Sequence, residues 1–461
     1  MGNSPERVTA LRLPVEIAAA RAVAALSRLV GAGAGMTVPG KLLSKLDPGA
    51  IDRLAARLPA GAAVVSATNG KTTASAMVAE ILRPRFRLAH NHSGANLVSG
   101  VASTLLSAGD AELGLLEVDE GALPEVLRRV RPRAVLLANL FRDQLDRYGE
   151  LELIAERWRL AVAALAAPTS VVLNADDPQI GSLREDAVHY GLDDPSVARP
   201  ALQHAADSKY CIRCGTPYEY AAAYVGHLGD YRCPNCAHAR PALQISARSI
   251  ELEGLERGAF DLVTPEGTRR VELTLPGLYN VYNALGAAAL ARALGASLDE
   301  VVAGLGRFSP AFGRFERIAV GRKRLLVLLI KNPAGANEAV RTLVEGRPPR
   351  VAVVALNDAI ADGRDVSWIW DVDFEPLLGG LDRLVAAGSR AAELALRFKY
   401  GGLDESAIEV EADLARALDR GLELTPDEGE LVVLPTYTAM LALQRVIAER
   451  GLAKKYWERA A

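Results

Sequence analysis

The sequence predicts an α/β fold built from two parallel-sheet units. Three observations carry that reading. Apolar runs of β-type residues alternate with helical periodicity along most of the chain, a Gly-Lys-Thr loop stands directly behind one such run, and a Tyr- and Cys-rich block interrupts the alternation once. At 461 residues the chain exceeds what one hydrophobic core accommodates, so two or three domains are expected. With 50% apolar residues, 24% charged and 40 glycines, it has ordinary globular composition. The net charge of -3 gives no basic footprint for nucleic acid.

No apolar run reaches the roughly 18 residues of a membrane span, and the opening MGNSPERVTALRLP lacks the parts of a signal peptide. A cytoplasmic chain without a transmembrane segment is therefore expected. Residues 1–45 read as an N-terminal helical extension. Within them, the Ala, Leu and Val content of residues 7–30 with Arg21 and Arg28 suits a helix packed on its own domain, or an amphipathic helix on a membrane surface.

The first unit, 46–311, carries candidate strands at 62–67, 113–118, 134–140 and 170–175. Residues 201–242, with turn formers Gly, Pro and Asn among Tyr and Cys, read as a small insert. After it, VELTLPGLYNVYNALGAAALARALG ends a strand, turns, and enters an Ala-rich helix. The segment FGRFER, 312–317, begins the second unit, 312–461. RLLVLLI, RVAVVAL, DRLVAAG and ELVVLPT there each precede a helical stretch.

The loop Ala67-Thr68-Asn69-Gly70-Lys71-Thr72-Thr73 follows a buried strand and opens a helix, the arrangement in which backbone N–H groups face an anion. Lys71 would neutralise the terminal phosphates of a nucleotide, and Thr72 would offer its hydroxyl to Mg²⁺. Val65 stands where the first Gly of the full phosphate-loop pattern belongs, so a polar helix cap that contains Lys is the plain alternative. Glu117, Asp119 and Glu120 lie just past a strand's C-terminal end, where ligands gather in open α/β sheets. Glu117 is the expected Mg²⁺ residue, while Asp119 and Glu120 read equally well as a solvated acidic turn.

Cys211-Ile-Arg-Cys214 and Cys233-Pro-Asn-Cys236 are two C-x-x-C knuckles with the spacing of a zinc ribbon. Four thiolates leave no open position on the metal, so a structural Zn²⁺ is expected. Disulfides are disfavoured in a chain without an export signal. His204, His227 and His238 read as ordinary surface histidines. With every cysteine occupied, none remains as a catalytic nucleophile.

The strings ATNGKTT, EVDEG, NLFRDQLDRYGE, LNADDP, GLYNVYN and FGRFER occur here in the order seen in Mur ligases. With the ribbon and LNDAIADGRDVSWIWDVDFE, the chain resembles the MurT type of that family, from about residue 40 onward. The resemblance implies a Mur-ligase central ATP-binding domain followed by a Rossmann-like C-terminal domain. It also implies an ATP-dependent ligase that pairs with a GatD-type glutaminase and amidates the α-carboxyl of D-glutamate in lipid II. ATP would be held by Thr68, Asn69, Gly70, Lys71, Thr72 and Thr73, by Asn283 rather than Asn280 at the adenine, and by Arg314 from the linker. Mg²⁺ would be held by Thr72 and Glu117.

Asp365 matches the aspartate that completes the glutaminase's Cys-His pair, with Asp371 and Asp373 as the next candidates. Read from its neighbours alone, Asp365 is a turn former or helix cap, and Trp368 and Trp370 are core or interface aromatics. Two residues depart from the family pattern. Ala67 replaces the glycine that opens the loop, which is tolerable at negative φ, and Asp143-Gln144 replaces Asp-His. The N-terminal UDP-binding domain of complete Mur ligases is not expected here, because the chain begins too close to the phosphate loop. Competing readings are a folylpolyglutamate-synthase-like ligase, which the ribbon disfavours, and an ATP-binding regulatory module whose ribbon reads nucleic acid, for which Arg213 and Arg232 are thin support.

Overall fold

The computed structural model describes residues 37–91, 95–143, 149–203, 206–309, 314–346 and 348–452, with the side chains of 314–316 outside that description. Residues 1–36, Gln144, His204 and the Arg314 side chain therefore lie outside the described residues.

Two sheets dominate. The first contains β1 (Ala62–Ser66), β2 (Leu88–His90), β3 (Leu113–Val118), β4 (Ala134–Leu137), β5 (Ser170–Asn174) and β6 (Val188–Leu192). The hairpin β7 (Glu219–Val225) and β8 (Leu228–Arg232) forms a small sheet of its own. The chain then rejoins the first sheet as β9 (Ile245–Glu253), β10 (Arg257–Thr264) and β11 (Gly267–Leu273). Nine strands run in the order β11-β10-β9-β6-β5-β4-β1-β3-β2, parallel from β9 to β2 and antiparallel in the β9-β10-β11 meander.

β1 is buried along its whole length because it has neighbours on both edges and helices on both faces, which is why it reads as an unbroken apolar run. On one face the helices Lys71–Leu82 and Leu278–Ala293 pack together. The second of these is buried at nearly every position, and its alanines leave room for that close approach. The helices Val98–Leu106, Leu123–Val130 and Leu151–Ala163 cover the other face. The strand order reverses about β1, so the loop after it opens into a crevice at the sheet's C-terminal edge.

The second sheet contains β12 (Arg314–Val320), β13 (Lys323–Leu328), β14 (Val351–Ala355), β15 (Arg383–Ala387), β16 (Ile408–Glu411) and β17 (Glu430–Pro435). Its order is β12-β13-β17-β14-β15-β16, parallel except for the β12-β13 hairpin, with a core on each face. The long apolar runs read in the sequence are strands here. The strands that escaped that reading, β2, β6, β7, β8, β9, β10, β12 and β16, are short or alternate polar with apolar residues, and their pairing comes from the neighbours they meet in the fold. No helix among the described residues is long and apolar enough to cross a membrane.

Candidate functional site

The loop after β1 is laced to the loop after β4. The Thr68 amide donates to the Asn139 carbonyl (3.0 Å) and the Asn69 amide to Asn139 Oδ1 (2.8 Å), while Asn139 Nδ2 returns a bond to the Asn69 carbonyl (2.9 Å). Thr68 Oγ1 accepts from the Phe141 amide at 3.1 Å. Gly70 caps the helix Lys71–Leu82 at φ +82°, and a Cβ there would sit 2.0 Å from Asn283 Oδ1. Only glycine meets both demands. Asn283 is held by Asn280 Oδ1 (3.1 Å), and Asn280 donates to the Pro276 carbonyl (2.7 Å). Ala67 is not among the residues of positive φ, so its methyl causes no backbone strain.

Lys71 is 8% exposed and its Nζ donates to the Ala67 carbonyl (2.9 Å) and to Glu120 Oε2 (3.0 Å). Burial alone would lower the pKa of this ammonium. The charges of Glu120, Asp119 and Glu117 outweigh that and hold it above the ordinary lysine value. Burial likewise pushes Glu120 up, but Lys71 and Lys331 bring its carboxyl below the usual range. Asp119 and Glu120 are both buried, so the expectation of a solvated acidic turn is corrected: the loop folds under the helix Leu151–Ala163, where Trp158 Nε1 donates to the Glu120 carbonyl at 3.0 Å.

Glu117 is 1% exposed. Its Oε1 accepts from Thr72 Oγ1 (3.0 Å) and Asn96 Nδ2 (3.2 Å), while Oε2 is buried without a hydrogen-bond partner. A buried, orphaned carboxylate oxygen beside a hydroxyl is the oxygen donor set that a hard cation takes, so these residues fit Mg²⁺.

The second unit contributes residues that the sequence reading did not single out. Lys331, past β13, pairs with Asp143, whose side chain is 8% exposed and whose carboxyl burial raises against the pull of Lys331. Asn332 caps the helix Pro333–Glu345 and exchanges two amide hydrogen bonds with Asn69, at 3.1 and 3.0 Å. The available signal was Asn-Pro directly behind an apolar strand, which marks a cap followed by Pro at the first helical position. Between the units lies a cavity. Gly70, Thr73 and Asn283 line it from the first unit, and Lys331, Gly335 and Glu338 from the second.

The four cysteine sulfurs lie within 4.8 Å of one another, with Cys211–Cys236 at 3.4 Å and Cys214–Cys233 at 3.5 Å. A disulfide needs about 2.05 Å. Tetrahedral Zn²⁺ with bonds of about 2.3 Å needs sulfurs about 3.8 Å apart, so the cluster fits that ion. His227 and His238 are buried, which corrects the expectation of surface histidines. His238 Nδ1 lies 2.7 Å from the Tyr218 hydroxyl, and His227 packs against Phe141 in a tilted arrangement at 4.7 Å between ring centroids, beside Asp177.

Asp365 is exposed, and the Ser367 hydroxyl together with the Ser367 amide, which donates to it at 2.9 Å, lowers its carboxyl pKa. The neighbouring Asp362 is turned inward onto the Thr438 amide (2.8 Å). Trp370 is 51% exposed, whereas Trp368 packs against the core. Asp371 pairs with Arg142 at 3.4 Å, and the Asp373 amide donates to Asn337 Oδ1 at 2.7 Å. Arg314 begins β12, but where its guanidinium reaches lies outside the described residues.

Residues 65–243 match the family model of the Mur ligase middle domain, and residues 329–440 that of the MurT ligase C-terminal domain. The chain is 31% identical to the lipid II isoglutaminyl synthase (glutamine-hydrolyzing) subunit MurT of Staphylococcus aureus (strain N315), over 90% of this chain and 93% of that one. It is 32% identical to the same subunit of Streptococcus pneumoniae (strain ATCC BAA-255 / R6), over 93% of this chain and 95% of that one. Among solved structures, a pseudomurein peptide ligase type C from Methanothermus fervidus shares the fold with a TM-score of 0.70 at 22% identity, over 86% of this chain and 80% of that one. The chain belongs to the MurT family of Mur-type ligases, the family of the lipid II isoglutaminyl synthase subunits.

Proposed function

We propose that this chain is the ATP-using subunit of a lipid II isoglutaminyl synthase. It activates the α-carboxyl of D-glutamate in the lipid II stem peptide and amidates it with ammonia from a GatD-type glutaminase, giving D-isoglutamine at the inner face of the membrane. The observation that carries the reading is the meeting of Lys71, Thr72 and Glu117 with Lys331 of the second unit at the sheet's C-terminal edge, next to the cavity between the units. Likeness to the named subunits over 90% or more of both chains supports this reading over the folylpolyglutamate-synthase-like and regulatory alternatives.

The substrate carboxylate oxygen attacks the γ-phosphorus of ATP, the bond from that phosphorus to the bridging oxygen breaks, and ADP departs. The nitrogen lone pair of ammonia then attacks the acyl carbon, the carbon–oxygen bond to phosphate breaks, and the nitrogen gives up a proton as the amide forms. The loop Thr68 to Thr73 presents amides at a helix N-terminus to the phosphates, and Lys71 shields charge on the transferring group. Thr72 and Glu117 would hold Mg²⁺, which when bound neutralises the β- and γ-phosphate oxygens. Asn283 would contact the adenine and Arg314 the terminal phosphate. Apposition of the second unit, through Asn332 on Asn69 and Lys331 on Asp143, excludes water that would hydrolyse an acyl phosphate. A Zn²⁺ on the four cysteines stays outside the chemistry, since four thiolates leave it no free position.

No described cysteine is free of the cluster, so a thiolate that hydrolyses glutamine belongs to the partner. Asp365 is exposed and available to orient that partner's histidine. In the reconstituted complex, Asp365→Asn is expected to lose glutamine-driven amidation of lipid II while amidation driven by ammonium salt survives. A parallel fall of both would assign Asp365 to the ligase site or the fold. Retention of both would make it a turn residue only.

A further inference from the structure

The cysteine-bearing insert reaches further than its knuckles. Its strands β7 and β8 are joined by the two-residue turn Gly226-His227, with Val225 opposite Leu228 in the register. Val225 and Leu228 line the same cavity as Gly70, Thr73 and Asn283. The closed end of the hairpin is fixed firmly in place. Gly226 has φ +59°, as the first central residue of such a turn requires, and a Cβ there would meet Phe141 at 2.8 Å. His227 is completely buried between Phe141 and Asp177, and the Gly229 amide donates to the Asp176 carbonyl at 2.9 Å. At the open end, Cys214 precedes β7 and Cys233 follows β8 directly, so the thiolate cluster ties together the two strands that an isolated hairpin would let fray.

The same element grips the second unit. Arg341 donates to the Tyr224 carbonyl (3.1 Å) and the Val197 carbonyl (3.3 Å). Arg199, whose amide donates to the Ala223 carbonyl of β7 (2.7 Å), pairs with Glu338 at 2.7 Å. Glu338 is 3% exposed and lines the cavity, and its Oε2 is buried without a hydrogen-bond partner. A carboxylate held in place by one oxygen, with the other unsatisfied, is an acceptor waiting for a donor.

We infer that the cysteine-bearing insert is a nucleotide-positioning element: Val225 and Leu228 form the apolar wall for the nucleoside, and Arg199 holds Glu338 so that its free oxygen accepts a hydrogen bond from the nucleoside. The inference rests on the reading of the cavity as the ATP site, and it gives the thiolate cluster a role in nucleotide affinity without a role in the reaction.

The test is calorimetric titration of the full chain with ADP. Leu228→Ala, with zinc content and circular dichroism unchanged, is expected to weaken ADP about tenfold, as removal of most of a buried leucine from an apolar wall does. Leu228→Met restores the affinity. Removal of zinc by a chelator from protein that keeps its circular dichroism weakens ADP in the same direction, because the wall loses its anchor. Glu338→Gln is titrated with ADP, IDP and 2′-deoxy-ADP. Collapse of the wild-type preference for ADP over IDP identifies the donor as the exocyclic amine, and collapse of the preference over 2′-deoxy-ADP identifies the ribose. Unchanged preferences in that variant overturn the role of Glu338. Wild-type ADP affinity in Leu228→Ala overturns the role of the hairpin. Lys71→Ala separates this failure from the deeper one: if it weakens ADP while Leu228→Ala does not, the cavity reading stands and the insert is scaffold. If neither weakens ADP, the nucleotide lies elsewhere.

Discussion

Replacing Lys71 by Met keeps the side chain's stem and removes its charge, which separates two effects that a loop lysine combines. The first is on the fold. Glu120 lies 3.0 Å from Nζ with both groups buried, and at an effective dielectric of about 20 that separation corresponds to about 5.5 kcal/mol of attraction. A stranded Glu120 escapes part of the penalty by taking up a proton. From the carboxylate value of 4.5 that costs about 4 kcal/mol near pH 7.5, so the expected destabilisation is about 3–4 kcal/mol. Adding Glu120→Gln removes the stranded charge and is expected to recover all but about 1 kcal/mol. The second effect is on chemistry, and it is not rescued: both variants remain without ammonium-driven amidation.

The assay is urea denaturation followed by circular dichroism, read at the transition of the nucleotide-binding unit, alongside the amidation rate. The pH dependence checks the same pair. Because Lys71 and Lys331 hold Glu120 below its unfolded value, its contribution is fully present above about pH 4.5 and is lost as pH falls through the depressed value. Glu120→Gln should therefore flatten the acid limb of the stability profile. A destabilisation of Lys71→Met below about 1 kcal/mol, or none relieved by Glu120→Gln, would refute the ion-pair argument.

Two further outcomes are expected. Cys214→Ser loses zinc by metal analysis and exposes the knuckle end of residues 201–242 to proteolysis, because the cluster's sulfurs draw together the two knuckles around the small aromatic core of Tyr218 and Tyr231; retention of one zinc per chain would contradict the ligand set. Lys331→Met lowers ammonium-driven turnover about 10²- to 10³-fold, the order of losing one charge-stabilising donor, and leaves Asp143 buried without its cation; unchanged turnover would assign Lys331 to the fold alone.

Some of this was legible in the chain itself. The phosphate loop was readable because its function is local: a strand, a left-handed glycine and a helix N-terminus are consecutive in sequence. The two C-x-x-C knuckles were readable for a similar reason, since thiolate ligation demands short fixed spacings. Asp119 and Glu120 were harder, because a charged turn looks the same in sequence whether water or a buried lysine meets it. His227 misled because a lone histidine among turn formers carries no mark of the aspartate and phenylalanine that bury it.

The sequence by itself determined which long apolar runs become buried parallel strands and where an anion and a metal can be held, since periodicity and short-range spacing encode both. Tertiary structure alone decided what meets across the crevice. Asn69 and Asn332 are 263 residues apart, Asp143 and Lys331 are 188 apart, and Arg199 and Glu338 are 139 apart. None of these pairs leaves a pattern in a window of sequence. Each exists because two sheets bring their edges together, and a buried charge is tolerated only where a distant partner arrives to meet it.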